Sequence, residues 1–163
     1  MNKFQQSKES GIHHELASLA GDWEGTAKTW FEADQLADES PIYGTMKIIL
    51  DGRFILHEYQ GSLQGKGFSG LAIIGYSQSN SQFELAWVDS FHTGTGIMFF
   101  EGNNSEKLFS ATGKYGGKEA AEQWGWRTEI EMPEKDKVIL TAYNISPTGA
   151  EAKATETVYV RKK

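Results

Sequence analysis

Gly11-Ile12-His13-His14-Glu15-Leu16-Ala17-Ser18-Leu19-Ala20-Gly21-Asp22-Trp23 is the stretch that decides the fold, because within it the apolar period changes from helical to two. Ile12, Leu16, and Leu19 with Ala20 recur at the spacing of one helical face, Ser10 stands where a capping side chain belongs, and Gly21 where helices commonly stop. The spacing predicts one helix of about two turns, too short to be stable alone, so it must lie on an apolar surface. After Asp22 the pattern alternates in ten segments punctuated by turns, which predicts an all-β, closed antiparallel barrel with the helix laid over one end.

Working outward, Trp23 to Trp30 reads as the first strand, followed by a solvated acidic loop through Phe31, Asp34, Asp38, Glu39 and Pro41. Tyr43 to Leu50 and Arg53 to Gln60 flank Asp51-Gly52, read as a tight primed turn in which Gly accepts a positive φ. Phe68 to Tyr76 and Gln82 to Asp89 flank Ser77-Gln78-Ser79-Asn80, while Gly94 to Glu101 and Lys107 to Gly113 flank Asn103-Asn104-Ser105. Gln123 to Glu131, Val138 to Ile145 and Ala152 to Arg161 complete the set. Every link is short and none holds a second long helical pattern, which argues for an up-and-down meander. An open ten-stranded sheet would leave two exposed edges, so closure is favoured, with two stacked sheets as the alternative.

The 163 residues, 39% of them hydrophobic, suit a single domain over 1–163 that buries roughly 70% of its unfolded surface. Met1 to Ser10 is polar and is expected to be a flexible lead. It lacks the apolar run of a signal peptide, and no later stretch approaches the ~18 apolar residues of a membrane span. A soluble, cytoplasmic protein is the expectation, and the absence of cysteine excludes disulfide and thiol chemistry. A formal charge of −6 disfavours capture of nucleic acid or an anionic membrane, since only Arg161-Lys162-Lys163 is locally basic.

The densest reactive segment is Trp87-Val88-Asp89-Ser90-Phe91-His92-Thr93. As a Ser/His/Asp relay it would use Ser90 as nucleophile, but residues so close on one extended segment rarely form the linear relay a serine needs. Asp89 and Ser90 can instead satisfy local turn backbone, or Asp89 and His92 can serve a cavity ligand, either as polar fixtures or as acid and base. A metal site needs three or four converging ligands, and His13, His14, His57 and His92 are the only histidines. His13 and His14 diverge by ~100° on a helix and read as a solvated face. Trp124 and Trp126 with Arg127 can form a stacking platform, although aromatics more often fill core. Alternation does not say which strand face is interior. Glu58, Arg127, Glu129 and Glu156 lie within strands, and any that faces inward needs a partner; Arg127 paired with Glu156 or Glu58 beneath the cavity is the expectation.

Gly21-Asp22-Trp23 and the closing Arg161 resemble the glycine-x-tryptophan and arginine pair of the calycin superfamily, the lipocalins and fatty-acid-binding proteins. Trp23-Glu24-Gly25, Gly52-Arg53-Phe54, His57-Glu58-Tyr59, Gly70, Gly75-Tyr76, Trp87 through Gly94, and Glu156-Thr157-Val158-Tyr159 are similar to a bacterial family of unknown function, DUF1579. That resemblance implies a lipocalin-like barrel of about ten strands and brings no activity. The chain departs from the fatty-acid-binding pattern, which has a helix pair as lid and two inward arginines with a tyrosine, because only Arg53, Arg127 and Arg161 exist here. It has Tyr143 and Tyr159 where haem-binding barrels carry a late-strand histidine.

The resulting expectation is a barrel that binds a small, partly apolar ligand inside, lined by Trp87, Asp89, His92, Trp126, Arg127 and Tyr159, with Glu58 and Glu156 as further candidates. No metal or cofactor is expected. The alternatives are a hydrolase or isomerase using Asp89 and His92, and a filled barrel acting as an oligomerisation module; a homo-oligomer is open under each.

Overall fold

A computed structural model describes residues 1–103 and 106–163, so Asn104 and Ser105 of the expected turn Asn103-Asn104-Ser105 lie outside the described residues. Two helices stand where one was expected, α1 (Lys3–Ser10) and α2 (Ile12–Ala17). The first starts at a reciprocal capping box, in which Gln5 N donates to Asn2 Oδ1 at 2.8 Å and Asn2 N donates to Gln5 Oε1 at 3.1 Å. Ser10 therefore ends α1 instead of capping α2, and the polar lead is helix. Polarity did not free it, because its partners are themselves polar: Lys8 Nζ donates to Asp51 Oδ1 at 2.9 Å, Gln78 Nε2 donates to the Lys3 carbonyl at 3.1 Å, and Arg53 stacks 4.5 Å from the Phe4 ring centre. His13, expected on a solvated face, is buried between Phe4 and Tyr76 with Ser7 Oγ 2.8 Å from Nδ1, while His14 is exposed. Burial holds the His13 pKa below its ordinary value.

The strands are β1 (Gly21–Glu32), β2 (Gln35–Ile49), β3 (Phe54–Leu63), β4 (Lys66–Ser77), β5 (Gln82–Asp89), β6 (Met98–Gly102), β7 (Phe109–Tyr115), β8 (Trp124–Glu134), β9 (Lys137–Ile145) and β10 (Glu151–Arg161). Each pairs antiparallel with the next, and β1 pairs with β10, closing the barrel. The acidic stretch expected as a loop is instead the first half of β2, with Asp38 opposite Thr29 and Glu39 opposite Lys28. Its turn shrinks to Ala33-Asp34, where Asp34 takes φ 61°. Between β2 and β3 the expected two-residue turn is a longer one, with Leu50, Asp51 and Gly52 all at positive φ.

The helices close the lower end. Trp23, Phe109, Ile130, Val138 and Tyr159 are fully buried there with Leu19, each side chain contributing roughly 1.5–3 kcal/mol. Trp23 and Arg161 latch the helices to the barrel: Trp23 Nε1 donates to the Leu19 carbonyl at 2.9 Å, and the Arg161 guanidinium lies 4.3 Å from the Trp23 ring centre. The same guanidinium donates to the carbonyl of Ala20 at 2.6 Å, covering an orphan acceptor after α2, and to that of Lys135 at 3.0 Å in the turn between β8 and β9. At Gly21, with φ +150°, a Cβ would run into Arg161 Nη1, so the glycine makes room for the latch.

Candidate functional site

The alternation fixes what faces the lumen. On β3, Ile55, His57 and Tyr59 point in; on β5, Phe83, Leu85, Trp87 and Asp89; on β8, Trp126, Thr128 and Ile130; on β10, Thr155, Thr157 and Tyr159. The lower half of this column is packed with hydrocarbon and the upper half is polar. Tyr59 O–H donates to Asp89 Oδ2 at 2.5 Å and accepts from Trp87 Nε1 at 2.7 Å. Asp89 Oδ1 accepts the backbone N–H groups of Phe91 at 2.6 Å and His92 at 2.8 Å, and Thr93 Oγ1 accepts from Asp89 N at 2.9 Å. Those bonds wind residues 90–97 into a loop across the rim, which is why β6 begins at Met98 and not at the expected Gly94.

Electrostatically, Asp89 is a buried carboxylate, 4% exposed. Burial pushes its pKa up, but the His92 imidazole, the Tyr59 hydroxyl and the His92 N–H outweigh it and hold the carboxyl below the ordinary range. The pKa of Tyr59 is driven well upward by burial and by the adjacent carboxylate. His57 Nε2 sits 3.0 Å from the Tyr159 hydroxyl, and burial lowers its pKa to about 4. His92 Nδ1 lies 3.1 Å from Asp89 Oδ1, within ion-pair reach, and both His92 nitrogens are buried without a well-aligned hydrogen bond.

Above His57 a cavity of about 110 Å³ opens between two unlike walls. One wall is aromatic, with Trp87 and Trp126 stacked at 5.6 Å and 29°, and Phe68 and Tyr59 beside them. The other carries the hydroxyls of Thr29, Thr155 and Thr157, with Thr128 across from them. A larger concavity of about 690 Å³ lies on the outer wall over Tyr43, Glu58 and Leu71, open to solvent. The inner cavity is the candidate site because the buried polar groups converge on it.

The structure brings Trp87, Asp89, His92, Trp126 and Tyr159 to the lumen and three other predicted residues to the outside. Trp126 and Thr128 point in, so period two turns Arg127 out, where it clasps Glu151 (2.5 and 3.1 Å) and stacks on Tyr143 at 4.6 Å. Glu156 faces out and pairs with Lys153 at 2.8 Å. Glu58 also faces out, 4.0 Å from Lys47. The expected inward pairing of Arg127 with Glu156 or Glu58 is therefore corrected: each carboxylate has its own surface lysine. Ser90 is exposed, its Oγ accepts from Ser69 N at 3.0 Å, and it makes no hydrogen bond to either His92 nitrogen, so the two form no relay. Among the described residues no three His, Asp or Glu side chains converge as metal ligands.

Sequence reasoning missed Tyr59, Thr29 and the glycine notches. Their signal was parity: once His57 is inward, so is Tyr59. At Gly44 a Cβ would collide with the Tyr159 hydroxyl and at Gly70 with that of Tyr59, so each glycine seats one of the two phenols.

A family model described as a protein of unknown function, DUF1579, matches residues 8–161. The chain belongs to the DUF1579 family. No curated protein matches this DUF1579 chain. Among solved structures it is similar to an S-type phycobiliprotein lyase from Guillardia theta, with TM-score 0.60 and 11% identity over 100% of this chain and 99% of that one. It also matches a protein of unknown function from the DUF3598 family of Nostoc punctiforme, with TM-score 0.41 and 10% identity over 90% of this chain and 48% of the other. The first likeness shows that the DUF1579 chain shares that protein's fold. Among the described residues, no helix of the DUF1579 chain is long and apolar enough to cross a membrane.

Proposed function

We propose that this DUF1579 barrel binds a small, partly apolar molecule in the upper cavity, between the Trp87–Trp126 stack and the threonine wall. The observation that carries the reading is a cavity of about 110 Å³ whose polar groups are placed but incompletely partnered. Buried polar atoms left without partners are uncommon in folded proteins, and they concentrate where a ligand or water supplies the missing bond. A barrel serving only as an oligomerisation module has no use for them. An engineered apolar cavity of about 150 Å³ accepts benzene, so the space suits a molecule with one ring. The similar lyase acts on phycobiliproteins, but a bilin is several times too large for this cavity as closed, and the likeness supports the barrel more than the ligand. The lack of cysteine is in keeping with a reducing, cytoplasmic setting.

Native mass spectrometry of protein purified from cells tests the reading, with a retained non-covalent mass of about one ring as the expected result. An unliganded spectrum, together with no thermal shift from a panel of single-ring compounds, would overturn it. A second reading rests on the 3.1 Å approach of His92 Nδ1 to Asp89 Oδ1, a distance from which a carboxylate can orient a general base once the imidazole turns its N–H toward it. Under it, His92→Ala abolishes any turnover found in an ester or isomerase screen, and unchanged turnover removes this role.

A further inference from the structure

The cavity wall carries neither lysine nor arginine. All three arginines of the chain are engaged elsewhere, Arg53 on Phe4, Arg127 on Glu151 and Arg161 on the helix carbonyls. The carboxylate inside is Asp89, and its partners already surround it, Tyr59 O–H on Oδ2, two backbone N–H groups on Oδ1, and His92 Nδ1 3.1 Å from Oδ1. A ligand carboxylate would enter beside a buried anion, and the imidazole there, His92, already stands against Asp89, which is strongly unfavourable for a second anion. A ligand ammonium would meet a carboxylate whose acceptor sites are mostly filled. What the walls offer besides that pair is hydroxyl. The hydroxyls of Thr29, Thr128, Thr155 and Thr157 have no hydrogen-bond partner among the described residues. Facing them is the flat surface of two stacked indoles.

We propose, resting on the binding reading above, that the cavity selects an uncharged single-ring molecule bearing hydroxyl or amide groups, and rejects a carboxylate of the same size. The ring lies against Trp87 and Trp126, and its polar edge exchanges hydrogen bonds with the threonine wall. This separates the barrel from carriers of fatty acids and other anionic lipids, whose headgroup has no counterpart here.

Titration of the full chain with phenol, toluene, benzoate and benzylammonium at pH 7, followed by indole fluorescence and calorimetry, tests the proposal. Phenol is expected to bind about fivefold or more tighter than toluene, the worth of one net hydrogen bond. Benzoate and benzylammonium are each expected to bind at least tenfold more weakly than phenol. In Thr155→Val/Thr157→Val, which keeps side-chain shape, phenol falls to the level of toluene while toluene is unchanged. Benzoate or benzylammonium binding as tightly as phenol overturns the selection rule, as does a valine variant with unaltered preference for phenol. If none of the four probes binds although native spectra show a retained molecule, the ligand class is wrong and the binding reading stands. If no molecule is retained either, both fall.

Discussion

The Tyr59 hydroxyl bridges Trp87 Nε1 and Asp89 Oδ2, at 2.7 and 2.5 Å, and so ties β3 to β5 across the lumen side of β4 at the level where the barrel turns from packed to polar. Tyr59→Phe keeps the ring but strands a buried indole N–H and one oxygen of a buried carboxylate. Leaving such groups unpaired costs roughly 1–3 kcal/mol, so urea unfolding of the variant should show a loss of about 2 kcal/mol. The loss has a pH signature. With its folded-state pKa depressed, Asp89 adds stability that is present above the ordinary carboxylate range and disappears as pH falls through the depressed value. Removing one of its donors raises that value, and carboxylate NMR titration should place the Asp89 transition of the variant at higher pH than in the parent.

His57 acts on a different part of the pH scale. It is 5% exposed, and its pKa is lowered to about 4 from an ordinary 6.5. Above pH 6.5 both folded and unfolded forms are neutral and no effect arises. Between 6.5 and about 4 the unfolded chain takes up a proton that the folded chain refuses, so stability falls with falling pH, by roughly 3 kcal/mol across the window. His57→Gln can still hydrogen-bond the Tyr159 hydroxyl and does not titrate. Denaturation series at pH 7 and pH 4.5 should show a smaller difference for the variant than for the parent; equal differences would assign the acid sensitivity elsewhere.

Much of this was legible in the sequence and some was not, for identifiable reasons. Ten strands followed from period two and from turn residues, because a half-buried strand must alternate. The same rule could not choose between faces, so Arg127 was placed inside when Trp126 and Thr128 had a stronger claim to the lumen. Asp89 and His92 stood out as reactive types, yet their job of winding the 90–97 loop is visible only as backbone bonds. The acidic β2 segment reads as loop because its polarity says nothing of its partners; paired to β1, Glu39 faces water while the Asp38 carboxylate accepts from Ser40 Oγ at 2.6 Å and Gln64 N at 2.9 Å. Gly44 and Gly70 carried no sequence signal beyond being glycines inside strands, a pattern that often marks close approach of another group.

That approach makes Gly70 a sharp test of how the cavity is built. A methyl on this glycine would overlap the Tyr59 hydroxyl and the ring carbon that bears it, and so displace the phenol from Asp89. Overpacking of this kind costs about 1–3 kcal/mol. Gly70→Ala should therefore resemble Tyr59→Phe in stability, and the double variant should cost less than the sum, since the hydroxyl's bonds to Asp89 and Trp87 are lost only once although the methyl still meets the ring at Cζ. Additive losses in a double-mutant cycle would mean that the alanine harms the barrel without breaking those bonds.

Trp126 sets the size limit. It stacks on Trp87 at 5.6 Å and packs 5.7 Å from the His92 ring centre, forming one side of the cavity. Trp126→Leu removes most of an indole while keeping the position apolar, and truncations of this size in a core cost about 2–4 kcal/mol. Part of the vacated space joins the existing cavity, because the Trp87 indole remains held from behind by Tyr59. A two-ring alcohol such as 2-naphthol, too large for the parent, should then bind the variant and recover part of the lost stability as a concentration-dependent rise in Tm. If 2-naphthol raises the Tm of parent and variant equally, Trp126 is not the residue that bounds the ligand, and the limit must lie with Phe68 or with the 90–97 loop.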